Sequence, residues 1–197
     1  MRRTMTAALA LTAILCLAAP AAAENWANRW GFPIGGGGVT SSAGTGAEFN
    51  VGVTYYLNKW VQFTLSPGFG AYPMSYEYAT STGSNTDTAY VKEVPVNFAV
   101  IVTPYRWGRV GIFVGPGVGF TYFWWTQKEQ DPNNLAGTVN KDEKQVLYSA
   151  FATAGVSYHF SGPFVGTIGV TYTMPDVKDW QLKNAVLTYG IGGGVAF

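Results

Sequence analysis

The sequence predicts an all-β fold, a transmembrane up-and-down antiparallel β-barrel of about eight strands. Three observations predict it: large apolar and small residues alternate along most of the chain, charge is scarce, and beyond the N-terminus no apolar run is long enough for a transmembrane helix. Charged residues make up 12% of the chain, against about 25% in typical soluble proteins. The formal net charge of +1 argues against nucleic-acid binding.

The N-terminus has the features of a signal peptide, which we place at residues 1–23. Two arginines precede an apolar run over 7–19, and three alanines end the segment, which is the order found in secretory signals. The run is shorter than the ~20 residues that span a bilayer. We therefore expect Sec-type export and a barrel domain over 24–197. The single cysteine, Cys16, falls within the signal, so the mature domain would have neither a disulfide nor a cysteine metal site.

Alternation with a period of two predicts the strands. In residues 49–57, FNVGVTYYL, the odd positions are large and apolar and the even positions are mostly small or polar. The same period recurs in segments that begin near Trp30, Val61, Val94, Val110, Val146, Phe164 and Leu187. Many of these segments exceed ten residues, which suits a tilted membrane strand of ~9–11 residues better than a soluble strand of ~5–6.

The composition of the second face predicts which side faces lipid. That face carries Gly, Ser, Thr, Ala and Asn, whereas a water-facing sheet would carry charge. Small side chains suit the interior of a narrow closed barrel, so the large apolar face should contact lipid. Because a lone buried charge is costly, we expect a polar lumen plug with Arg–Glu pairing, without excluding a narrow water path. The polar residues that alternation places in the lumen are Arg29, Glu48, Gln62, Glu93, Asn97, Arg109 and His159.

The connections predict the orientation in the membrane. Short turns are expected at 57–60, 104–108 and 161–163, and long polar segments at 79–88, 126–145 and 175–183. In outer-membrane barrels the short turns are periplasmic, which places both termini there as well. Aromatic residues near strand ends predict two interfacial girdles. The periplasmic girdle would contain Trp60, Tyr105, Trp107, Phe160 and Phe164, and the extracellular one Tyr72, Tyr76, Tyr78, Tyr122, Phe123, Trp124 and Trp125.

The C-terminal strand ends on alternating apolar residues with a terminal aromatic. Tyr189, Ile191, Gly192, Val195 and Phe197 resemble the targeting signal that the barrel-assembly machinery recognises. The mature chain as a whole resembles the small eight-stranded bacterial outer-membrane barrels of the OmpX and OmpA transmembrane-domain type. The resemblance implies a monomer in the outer membrane, in contact with outer-membrane lipid and lipopolysaccharide. Members of this group include adhesins, anchors, channels and enzymes, so fold alone does not settle function.

The expected role is structural or surface-interacting, through the extracellular loops, with a candidate ligand site at 126–145. A small porin or solute channel is the first alternative, and a lipid A-modifying enzyme is the second. His159-Phe160-Ser161 is similar to the His-x-Ser pair of lipid A deacylases. However, no carboxylate follows in sequence before Asp176, and a base needs a third group to orient it. We therefore predict no catalytic residue, and no cofactor or metal site, because one histidine with scattered acids lacks ligand spacing.

Overall fold

The computed structural model describes residues 29–80, 83–131, 134–175 and 185–197. The predicted signal peptide, 1–23, lies outside the described residues. The described chain forms nine strands: β1 (Arg29–Ser41), β2 (Gly44–Val51), β3 (Val53–Tyr56), β4 (Val61–Thr80), β5 (Gly83–Trp107), β6 (Val110–Asp131), β7 (Asn134–His159), β8 (Phe164–Pro175) and β9 (Val186–Ala196). Within these ranges there is no helix long and apolar enough to cross a membrane.

The strands close into a ring. Consecutive strands from β3 to β9 pair antiparallel, β2 and β3 each pair with both β1 and β4, and β1 also pairs with β9 from Gly31↔Ala196 to Thr40↔Leu187. The short strands β2 and β3 form two halves of one strand interrupted at Gly52, whose N–H donates to the Pro33 carbonyl at 2.9 Å. The ring therefore has eight strands, which confirms the predicted up-and-down barrel. Within the ring, closure pairs the strands on both sides, as a membrane-spanning sheet requires.

A belt of exposed apolar side chains surrounds the barrel. It follows alternate positions of the strands, as the sequence predicts, and includes Phe32, Leu65, Phe98, Val114, Val118, Ile168 and Ile191. At the end with short turns the belt finishes in exposed aromatics, namely Trp60, Tyr105, Trp107, Phe160 and Phe164. At the other end it stops at a row across three strands, where Lys92 pairs with Trp124 and Trp124 with Lys144.

Several strands continue beyond that row. Strands β4 to β7 have 20, 25, 22 and 26 residues, about twice the length that crosses a bilayer. The register of β6 and β7 runs on from Thr126↔Asp142 to Asp131↔Asn134. The prediction of a loop over 126–145 is therefore wrong in its local structure, because ladder hydrogen bonds extend through a polar sequence surrounded by water. We call residues 125–143 the β6–β7 hairpin.

The other long segments show the same tendency. β4 runs to Thr80 and β5 starts at Gly83, so most of the segment predicted as a loop over 79–88 is also paired strand. Of the segment predicted over 175–183, residues 176–183 lie outside the described residues. The described barrel is thus a membrane-embedded ring with β-hairpins extending from one end.

Candidate functional site

The extracellular end of the lumen is filled by apolar side chains. Five residues, each 7% exposed or less, meet there from five strands: Val39, Tyr72, Val91, Phe123 and Val186. Met74, Trp125 and Leu147 pack against them. We call the five buried residues the apolar plug. Close packing of this kind leaves few voids as large as a water molecule, so the plug blocks the lumen at this end.

Two members of the plug correct the predicted extracellular girdle. Tyr72 and Phe123 are only 1% and 4% exposed, so they lie inside the barrel and not at its lipid surface. The alternation of β4 and β6 runs on unbroken to these residues: Phe69 and Tyr122 are exposed, so Tyr72 and Phe123 fall on the opposite, lumen-facing positions. Packing in the plug stabilises them there, because it removes apolar ring surface from water. The side chains of Tyr76 and Tyr78 lie outside the described residues.

Below the plug lies a cavity of about 280 Å³, which we call the upper chamber. Glu48, Gln62, Glu93 and Asn97 line it, together with several threonines. Glu93 Oε2 accepts a hydrogen bond from the Tyr72 hydroxyl at 3.1 Å, and Glu48 Oε2 accepts one from Thr188 at 3.0 Å. Among the described residues that line this chamber, none is Lys, Arg or His. The expected Arg–Glu pairing is therefore wrong for both glutamates, because hydroxyl groups satisfy them instead.

Glycine accounts for much of the free volume of the upper chamber. Along the β1–β9 seam the chamber is lined by Gly35, Gly37, Gly190 and Gly192, which contribute no side chain. A Cβ atom built on Gly37 would lie 2.0 Å from the Tyr189 carbonyl oxygen. The run of four glycines in β1 thus permits close strand approach, and leaves the lumen open where larger residues would fill it.

An apolar layer separates the upper chamber from the periplasmic end. Ala99, Ile101 and Phe151 are buried together, and Phe113 packs against them. Ile101 and Phe113 line both the upper chamber and a second cavity beyond it. We call these four residues the apolar waist. The polar residues Tyr56, Gln62 and Thr167 also line both chambers, so the boundary at the waist is in part polar, and the lumen has an apolar plug followed by a mixed constriction.

Beyond the waist lies a cavity of about 80 Å³, the lower chamber. Arg106, His159 and Lys59 line it, and among its described lining residues none is Asp or Glu. Arg106 Nη2 lies 2.6 Å from His159 Nε2, so the guanidinium donates to the ring. Arg106 Nε is buried and has no hydrogen-bond partner. Charge in the lumen is thus divided, with acids in the upper chamber and bases in the lower one.

The positions of His159 and Ser161 do not fit the arrangement that a His-x-Ser catalytic pair requires. His159 is 9% exposed inside the barrel, whereas Ser161 lies exposed in the turn between β7 and β8. The group that contacts the His159 ring is a guanidinium, and a cation does not orient and stabilise an imidazolium as a carboxylate does. Among the described residues, no three His, Cys, Asp or Glu side chains lie close enough to hold a metal ion.

The remaining predicted lumen residues lie at the periplasmic end. Arg29 begins β1, opposite Tyr56, and is not among the residues that line either chamber. Arg109 lies in the turn between β5 and β6, also outside both linings. The arginine that enters the lumen is Arg106, which alternation does not predict. A register shift between Val102 and Tyr105 marks a β-bulge, and the extra residue reverses the facing of the positions after it.

Comparisons with known proteins identify the fold. No family model matches the chain, and no curated protein matches it. Three solved structures share its architecture: Neisserial surface protein A (14% identity, TM-score 0.59, 88% of this chain and 99% of that one), OprG from Pseudomonas aeruginosa (13%, 0.54, 87% and 96%), and Ail of Yersinia pestis in complex with the heparin analogue sucrose octasulfate (16%, 0.53, 87% and 99%). The fold is that of a small outer-membrane β-barrel.

The likeness to these outer-membrane barrels and the belt of exposed apolar side chains place the chain in the outer membrane. The end with short turns is then periplasmic, and the long hairpins extend outside the cell. In β9, Tyr189, Ile191, Val195 and Phe197 are exposed on the lipid face, whereas Gly192 faces the lumen. Phe197 is held to β1, since its N–H donates to the Trp30 carbonyl at 2.8 Å. Recognition of this strand by the barrel-assembly machinery stays a prediction.

Proposed function

We propose that this chain is a closed, non-conducting outer-membrane barrel whose working surface is the extracellular β6–β7 hairpin. The observation that carries the proposal is the apolar plug, with the waist as a second layer behind it. A pore conducts only if water fills it along its whole length, and the packed plug interrupts the polar path, which the waist narrows again. A structural or surface-interacting role fits this lumen better than transport does.

The hairpin supplies a stiff surface for such a role. From Trp124 to Asp131 the β6 strand continues for seven residues, or roughly 24 Å at ~3.4 Å per residue. Its charges are mixed, and two ion pairs form among the described side chains: Lys128 lies 3.1 Å from Asp87, and Lys141 lies 2.9 Å from Glu143. The Thr126 hydroxyl also donates to Asp142 at 2.8 Å. Paired charges favour a protein surface of mixed polarity over a polyanion as the partner.

The row at the edge of the belt supports the predicted contact with lipopolysaccharide. Lys92 and Lys144 are exposed on either side of Trp124, at the level where outer-leaflet headgroups lie. Within the described part of the chain neither lysine has an ion-pair partner. Lysine ammonium groups beside an interfacial tryptophan suit the phosphates of such a glycolipid. This contact would anchor the barrel at a fixed depth, with the hairpin above it.

A retention assay on whole cells tests the role of the hairpin. Cells that produce the full chain, or a variant in which an Asn-Gly turn replaces residues 128–141, are applied to wells coated with fibronectin, laminin, heparin or serum albumin. We expect the full chain to retain cells on at least one protein coating, and the shortened variant to fall to the level of cells without the chain. Heat-shifted gel mobility establishes that both barrels fold. Equal retention of both strains on every coating would contradict a surface role for the hairpin.

The small-channel alternative requires both the plug and the waist to open. The lipid-modifying alternative requires a nucleophile beside His159, whereas the nearby Ser161 lies exposed in the turn. Neither alternative has an observation of its own in its favour. The heparin analogue in the Ail complex is a useful probe here, because the paired charges of the hairpin predict weak retention on heparin.

A further inference from the structure

The lower chamber combines features that point to a ligand. It is a partly open space of about 80 Å³ at the periplasmic mouth. Since one water occupies ≈ 30 Å³ in the liquid, the space matches two or three waters, or one group the size of phosphate or carboxylate. Its polar lining includes the cations Arg106 and Lys59, the hydroxyls of Ser157 and Thr103, and two side-chain amides.

The charge of this chamber is unbalanced. Arg106 and Lys59 each carry a positive charge, and no carboxylate is among the described lining residues. Lys59 is exposed in the turn at the chamber mouth, with its ammonium 4.9 Å from the centre of the Trp60 ring, so the charge that the chamber itself partly buries is that of Arg106. Buried charges in proteins are ordinarily paired, because the loss of hydration is otherwise uncompensated. A cationic cavity without an anion of its own is therefore incomplete.

The Arg106 side chain supplies a specific donor for such an anion. One Nη atom is engaged by His159, at 2.6 Å, which fixes the orientation of the guanidinium. The Nε atom is buried and has no partner. A buried unsatisfied donor on a charged group costs free energy, and native structures normally complete it with an ion, a ligand or water. An oxyanion beside Nε would both complete the hydrogen bond and neutralise the charge.

We propose that the lower chamber is a binding site for a small oxyanion, a phosphate or carboxylate group, that enters from the periplasmic side. Arg106 binds the anion through its free Nε–H, and His159 holds the guanidinium in place. Lys59 and Thr103 line the same chamber and supply further donors, whereas the Ser157 hydroxyl donates to the Gly111 carbonyl at 3.3 Å. Glu48 and Glu93 line the upper chamber, and the described lining of the lower chamber holds no carboxylate to act as the counter-charge. This site is independent of the proposed role of the hairpin.

Nuclear magnetic resonance of the refolded full chain in zwitterionic micelles tests the site. Inorganic phosphate is titrated at constant ionic strength while the ¹⁵N-labelled arginine Nε–H and histidine ring signals are followed. We expect a saturable shift of the Arg106 and His159 signals with phosphate and with acetate, but not with chloride. An equal response to chloride, or a response that never saturates, would overturn the proposal. A second titration with phosphatidylglycerol in the micelles distinguishes a lipid headgroup from free phosphate as the source of the group.

Matched variants locate the site. Arg106→Gln is expected to weaken the phosphate response of the His159 signal by about tenfold or more, as for the loss of a hydrogen bond to a charged group. Arg109→Gln removes an arginine three residues away, outside the chamber, and should leave the response unchanged. If Arg106→Gln does not fold by gel mobility, Arg106→Lys retains the charge without the Nε donor and should still weaken the response. Equal binding by the Arg106 and Arg109 variants would refute the site.

Discussion

The Tyr72 hydroxyl donates a hydrogen bond of 3.1 Å to Glu93 Oε2 at the boundary between the apolar plug and the upper chamber. The tyrosine ring belongs to the plug, and its hydroxyl reaches down to the polar side. Both residues are almost fully buried. This one contact therefore joins the closing layer of the lumen to the acidic chamber beneath it, and explains why a polar aromatic stands in an otherwise aliphatic and phenylalanine plug.

Tyr72→Phe should destabilise the folded barrel by about 1–3 kcal/mol, since Glu93 loses its buried donor while the ring remains in place. The free energy of unfolding in lipid vesicles, measured by urea titration of tryptophan fluorescence, checks this value. Tyr90→Phe is the control, because Tyr90 is exposed and its hydroxyl makes only a long bond of 3.4 Å to the Ala71 carbonyl. Equal effects of the two changes would contradict a special role for the Tyr72–Glu93 bond.

Phe123→Ala should leave a cavity in the plug and cost about 3–5 kcal/mol, as large-to-small changes in packed cores do. Phe120 on the same strand is exposed to lipid, so Phe120→Ala removes only a contact with lipid and should cost less. The same urea titration measures both variants. A larger loss of unfolding free energy for Phe120→Ala than for Phe123→Ala would mean that the plug is loosely packed, which would contradict the burial of Phe123.

Gly37→Ala should block closure of the barrel, because its Cβ would lie 2.0 Å from the Tyr189 carbonyl oxygen across the β1–β9 seam. Gly193 lies on the same seam, but a Cβ there meets nothing nearer than the Val165 carbonyl oxygen at 3.4 Å. Gly193→Ala should therefore refold normally. Refolding yield, read from heat-shifted gel mobility, distinguishes the two variants, and full refolding of Gly37→Ala would show that the seam is less tight than described.

The Asp87 carboxyl group above the membrane belt should titrate below its usual range. The Thr88 backbone N–H donates to it at 2.8 Å, and Lys128 lies 3.1 Å away; these two partners, the Thr88 bond first, lower its pKa. A lowered pKa means that the contact stabilises the fold above pH ~3.9, the value for a free carboxyl, and is lost as the pH falls through the folded pKa.

Carboxyl ¹³C chemical shifts measured against pH check this titration. Lys128→Gln should raise the pKa of Asp87 only part of the way to its ordinary value, since the larger cause, the Thr88 N–H, remains. Lys141→Gln, which alters the separate pair with Glu143, should not move it. An Asp87 pKa at or above the ordinary value in the unmodified chain would contradict the geometry of this pair.

The barrel itself follows from the sequence because alternation is imposed by the bilayer. Lipid outside and a narrow lumen inside force large apolar and small residues onto opposite faces, and residues such as Phe98 and Val114 are exposed as expected. The prediction of which side chains face outward becomes less accurate at the edge of the lipid. Near Lys92 and Trp124 large aromatic residues lie on both faces of the strands, and Tyr72, predicted in a girdle, is buried in the plug.

The lower chamber was hidden by a backbone irregularity. Strict alternation from Val102 would place Arg106 on the lipid face. The bulge near Pro104, a residue that lacks the N–H a regular ladder needs, shifts the facing by one position. Arg106 then points into the lumen between Tyr105 and Trp107, which are both exposed. A proline in a strand next to a short turn is the one signal in the sequence that could have indicated the bulge.

Single-channel conductance in a planar bilayer tests the central claim, that the lumen is closed by the plug and constricted at the waist, most directly. The refolded chain should be silent, and so should Phe123→Ala or Phe113→Ala alone, because the other layer remains. The double variant, with both the plug and the waist opened, should show discrete openings. Discrete and reproducible openings of the unmodified chain would contradict the closed lumen and favour the small-channel alternative.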